Sequence, residues 1–128
     1  MTLRTFLTIV AVLAIPHGIA FVFAPDLLAT VYGLDHSPAV ALMSRLFGGA
    51  LLAWGGIIWS CRNFRDDAAV RAVLICTGIP EVIGLITVVM ATMSGTLNTL
   101  GWVAALIYLF GAAGCGYFVM AQPRLSPV

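Results

Sequence analysis

Four stretches of about 20 residues, uncharged or interrupted once, constrain this chain most: Thr5–Ala24, Ala39–Ser60 with Arg45, Ala72–Met93 with Glu81, and Thr99–Ala121. A hydrocarbon layer roughly 30 Å thick asks this length of a spanning helix. Charged residues are 9% of the chain and apolar ones 62%, against about a quarter charged in soluble domains. A water-soluble globule is therefore excluded. The expected fold is all-α, a four-transmembrane-helix bundle over residues 1–128, with connections of about 14, 11 and 5 residues that leave no room for a second domain.

Six arginines, no lysine and five acids leave a net charge of +1, too little for a nucleic-acid footprint. The arginines instead set orientation. With four spans, both tails and the middle loop share one side, which holds Arg4, Arg62, Arg65, Arg71 and Arg124. The first loop on the other side has Asp26, Asp35 and His36. The positive-inside rule then puts both termini in the cytoplasm. Arg4 followed by an apolar run resembles a signal peptide, but the run continues through Phe21-Val22-Phe23, too long for one, so it is expected to remain as a span.

Pro25-Asp26 stops the first span, and Leu27, Leu28, Val31 and Tyr32 then recur at helical spacing before Gly33, which predicts a short interfacial helix over 25–32. Pro38 suits a helix start, and Asp66 can cap the third span, with Arg71 in its first turn. Gly48, Gly49, Gly55 and Gly56, and Gly111, Gly114 and Gly116, offer small surfaces where helices can approach closely. Trp54, Trp59 and Trp102 read as bundle or interface aromatics.

A weak internal likeness aligns Ile15-Pro16-His17 with Ile79-Pro80-Glu81, and Arg45-Leu46-Phe47-Gly48 with Tyr108-Leu109-Phe110-Gly111. Such a likeness would come from two duplicated helical hairpins related by an axis along the membrane normal. The matched positions His17, Glu81, Arg45 and Tyr108 are also the polar oddities of the spans. By the helical rise, His17 and Arg45 lie about 10 to 12 Å below the outer surface, and Glu81 and Tyr108 about 15 to 20 Å. Charges at such depth normally face the bundle interior with a partner. Arg45 and Glu81 are therefore expected to pair or to share a hydrated cavity, as a structural clamp or as a functional site. Pro16 and Pro80 each free a carbonyl, at Val12 and Cys76, that can hold water or accept another bond.

These residues suggest an outward-half pocket in which His17, Arg45, Glu81 and Tyr108 bind a small lipophilic or weakly acidic ligand. Arg45 would contact an anion, Glu81 would set its charge or take a proton, and Tyr108 would donate a hydrogen bond. Other classes stay open: a ligand-free accessory subunit of a larger membrane complex, an isomerase or cyclase using Glu81 as general acid, or a proton-coupled exporter. Homo-oligomers through the glycine faces are also compatible, and membrane lipids are expected neighbours. No metal or cofactor is called for. The cysteines at 61, 76 and 115 form no CxxC motif, one deep histidine cannot ligate haem from both sides within a chain, and no phosphate loop, zinc spacing or nucleophile elbow occurs.

The segments Ala24-Pro25-Asp26-Leu27-Leu28, Tyr32-Gly33-Leu34 and Arg45-Leu46-Phe47-Gly48-Gly49-Ala50, with Trp54-Gly55 and Trp59, resemble a group of small bacterial four-span membrane proteins of unknown function. More distantly the chain is similar to DoxX-like proteins. The resemblance implies a four-helix bundle in a bacterial inner membrane. It transfers no activity and no catalytic residue, and any role for His17 rests on this sequence alone.

Overall fold

Three helix starts in this chain fall where a side chain can satisfy the backbone groups that a helix terminus leaves free. A computed structural model describes residues 1–64 and 66–121, so the loop arginine Arg65 and the C-terminal Arg124 lie outside the described residues. Thr2 caps α1 (Leu3–Phe23), its Oγ1 accepting from Thr5 N at 3.2 Å. The expected short helix forms as α2 (Pro25–Tyr32) and ends at Gly33, whose φ of 73° is a left-handed conformation that suits glycine. Ser37 Oγ accepts from Val40 N at 3.1 Å and starts α3 (Pro38–Cys61), with Pro38 in its first turn. Asp66 caps α4 (Asp67–Met93) by accepting from Ala68 N at 2.9 Å and Ala69 N at 3.2 Å. That cap begins the helix more than a turn before Ala72, where hydropathy alone would start it. After a tight turn, α5 (Gly101–Ala121) completes the bundle.

The protein is thus all-helical among the described residues, and α1, α3, α4 and α5 are long and apolar enough to cross a membrane. Their outer surfaces suit lipid: Leu46 is 60% exposed, Ile83 60% and Leu106 65%. Both α1 and α4 continue through their prolines, Pro16 and Pro80, whose rings lie on that exposed surface.

Packing divides the bundle into two hairpins, α1 along α3 and α4 along α5. The first is drawn together by glycine. A Cβ on Gly18 would lie 3.0 Å from the Gly48 carbonyl oxygen, and one on Gly48 would lie 2.8 Å from that of Gly18. The contact from Gly48 is closer than a Cβ comes to a backbone atom and that from Gly18 stands at the limit, so glycine at both positions permits this approach. The hairpins join through a core at the end where Arg4, Arg62 and Arg71 lie. There Phe6, Leu7, Ile58, Cys61, Leu74 and Cys115 are each at most 1% exposed. The Phe6 ring occupies the space that a side chain at Gly114 would fill. Arg71 Nη1 donates to Val119 O at 2.7 Å, satisfying a terminal carbonyl of α5. At the opposite end, carrying α2, the hairpins stand apart around a cavity.

Candidate functional site

Side chains reach this cavity as stripes at helical spacing. From α1 come Leu13, Ala14, His17 and Phe21, from α3 Phe47, Leu51 and Trp54, from α4 Glu81 and Val88, and from α5 Ala104, Ile107, Tyr108 and Gly111. Tyr32, Leu34 and Leu97 line its outer part at the α2 end. The cavity is partly open, with a volume of about 210 Å³. Its walls are mostly hydrocarbon and aromatic ring, with few polar atoms among them.

Three of the four expected site residues meet here. Glu81 is 5% exposed, and its carboxyl group packs into the hollow left by the missing side chain of Gly111 on α5. Its Oε2 is buried without a hydrogen-bond partner among the described residues. Tyr108 is half-buried, its ring seated over Gly84 of α4, where a Cβ would collide with it. His17 is half-buried and its Nδ1 bonds the Leu13 carbonyl at 2.7 Å. A carbonyl can only accept, so Nδ1 carries the hydrogen, and in the neutral ring Nε2 is left as an acceptor. The partner is Leu13 and not Val12, the carbonyl freed by Pro16.

Arg45 is the exception, and the expected pairing with Glu81 does not form. It is exposed on the outer surface of α3 beside Leu42, Met43 and Leu46, and it lines no part of the cavity. The reason is rotational. At about 100° per residue, Arg45 stands about 160° around α3 from Phe47, the cavity-facing residue two positions later. The depth estimate brought the two charges to neighbouring levels but carried no information on azimuth. An arginine so placed can extend its charged head along the helix toward the lipid headgroups.

The glycine signals also divide. Gly48, Gly111 and Gly114 hold close contacts, whereas a Cβ on Gly49, Gly56 or Gly116 would meet nothing within 4 Å. Of the tryptophans, Trp54 lines the cavity and donates from Nε1 to Thr77 Oγ1 at 3.2 Å, tying α3 to α4. Trp59 lies under the Arg62 guanidinium, 3.2 Å from the ring centroid, at the arginine end.

Two contributors were not visible in the sequence. Thr77, 1% exposed, has no neighbour in the chain that reveals its partner on another helix. Asn98 fastens the outer rim: its Nδ2 donates to Val31 O at 2.7 Å, its backbone N–H to Tyr32 O at 3.0 Å, and its Oδ1 accepts from Leu100 N at 2.9 Å. The turn between α4 and α5 is thereby latched to the last carbonyls of α2 beside Tyr32. Burial pushes the Tyr32 phenol above its ordinary pKa.

No family model matches the chain, and comparisons with curated proteins and with solved structures give no match. The chemistry of the cavity therefore has to be argued from its own residues.

Proposed function

We propose that this protein binds a small lipophilic ligand within the membrane, in the cavity between its two hairpins, reached from the α2 end. The observation that carries this reading is Glu81, a carboxyl group 5% exposed, lining an apolar space of about 210 Å³ with one oxygen left without a partner. Intramembrane ionisable groups are costly, and an unsatisfied one is costlier, so a fold that keeps one does so where something else completes its bonding. Clefts for drug-sized ligands run from about 300 to 1,000 Å³, so the ligand here is smaller than those. With Arg45 on the outer surface, no arginine among the described residues lines the cavity to hold a weakly acidic ligand, and the lipophilic half of the expectation is the one retained.

The positive-inside rule assigns the arginine end to the cytoplasm, which makes the cavity open toward the outer side of a bacterial inner membrane. Isomerisation, cyclisation or proton-coupled export with Glu81 as the acid would each begin with this same binding step.

A second reading, an accessory subunit or oligomer, is favoured by the outer face of α3, where Arg45, Gly49 and Gly56 are exposed and the glycines meet nothing within 4 Å. One experiment separates the two. Purified protein in lipid nanodiscs, with Trp59→Phe and Trp102→Phe so that Trp54 reports alone, is titrated with n-octanol. A saturable shift of the Trp54 emission is expected, unchanged in Arg45→Leu and lost in Ala104→Phe, which fills the cavity. A shift that persists in Ala104→Phe, or none in the parent protein, contradicts the cavity reading.

A further inference from the structure

Glu81 offers carboxyl oxygens, one of them unpartnered, and His17 offers Nε2 as an acceptor because Nδ1 is engaged by Leu13. The indole N–H of Trp54 is already given to Thr77. Among the described residues, the other polar side chains in the lining are the hydroxyls of Tyr32 and Tyr108, which can donate as well as accept, and no arginine contributes. The site therefore sets a carboxyl group and an imidazole nitrogen as acceptors beside two phenol hydroxyls, with no arginine to favour an anion.

Its walls add a second, independent feature. Six aromatic residues line this one small space: Phe21, Phe47 and Phe110 with Tyr32, Trp54 and Tyr108. Phe21 and Phe47 meet edge to face, with centroids 5.1 Å apart and planes at 87°. Aromatic faces carry negative quadrupole density and attract cations, more strongly where water is excluded. A carboxyl group among such rings repels an anionic head group and rewards a head that brings hydrogens.

From this geometry we infer that the ligand is a lipophilic amine, its nitrogen bonded to Glu81 with His17 Nε2 as the second acceptor, and its hydrocarbon lying between the aromatic walls. The inference rests on the cavity-binding reading and deepens it. The amine and the carboxyl group share one proton in the bound state, carried formally by either partner, so no further reactant is needed. Arg45, on the far side of α3, takes no part.

The test holds the tail constant and varies the head: n-octylammonium, n-octanol and n-octanoate are titrated into the Trp54-only protein in nanodiscs at neutral pH, with empty nanodiscs subtracted. Octylammonium is expected to saturate at least tenfold tighter than octanol, and octanoate to give no saturable signal. In Glu81→Gln the octylammonium affinity should fall at least tenfold and lose its advantage over octanol, with an unchanged helical circular dichroism spectrum and unfolding midpoint showing that the variant is folded. Arg45→Leu should leave the amine preference unchanged. Octanoate or octanol binding as tightly as octylammonium, or an octylammonium affinity unaltered in Glu81→Gln, would overturn the amine assignment while sparing the cavity. Saturation by none of the three would overturn both.

Discussion

The two ends of this bundle use the same four helices to opposite purposes. At the arginine end, Phe6, Leu7, Ile58, Leu74 and Cys115 interlock with at most 1% exposure each, and Gly114 recedes to admit the Phe6 ring. At the α2 end, glycines again recede, but Gly111 and Gly84 make room for a carboxyl group and a phenol beside open space. A missing Cβ fills volume in one half and places chemistry in the other. The packed half joins the hairpins through a buried apolar core, while the cavity half adds only the Trp54–Thr77 bond and the Asn98 latch and keeps polar groups that cost stability.

That contrast can be broken from its stable side first. Phe6→Ala should cost about 3–5 kcal/mol, the range for truncating a buried phenylalanine, measured as thermal or denaturant unfolding in detergent. A loss as small as that from a lipid-facing residue would show that the hairpins are joined elsewhere. Next, Gly111→Ala inserts a methyl group where the Glu81 carboxyl now lies. It should destabilise by about 1–3 kcal/mol through overpacking and disturb ligand binding as well, whereas an alanine at outward-facing Gly116 should do neither. The smallest effect sharpens the rim. Asn98→Ala removes the bond to Val31 O and should cost about 1 kcal/mol. Hydrogen exchange should then quicken at Gly33 and Leu34 but remain unchanged around Leu74; acceleration spread evenly through the bundle would deny a separate rim.

Most of the architecture could be read from the chain because lipid simplifies the problem: an apolar run of spanning length has few alternatives to a helix. Pro25, Gly33 and Asp66 placed the short helix and the start of α4 through turn and cap chemistry that acts over a few residues. His17, Glu81 and Tyr108 stood out for a related reason, since polar groups at depth are anomalous wherever they face. Azimuth was harder. Arg45 is as anomalous as Glu81, yet the rotation of α3 is set by where Gly48 meets Gly18, a contact between helices that hydropathy does not encode. The reach of Asn98 to α2 and the bond from Trp54 to Thr77 were hidden likewise, because each joins residues far apart in sequence.

That Glu81 is a group the fold tolerates for the sake of its cavity is tested most directly by the unfolding midpoint of Glu81→Leu. Leucine is of similar size and removes an unpartnered buried carboxyl, so the variant should be as stable as the parent or more so, by up to about 4 kcal/mol. It should also lose octylammonium binding. A midpoint lowered as far as that of Phe6→Ala would contradict the account, because it would mean the carboxyl group holds the helices together.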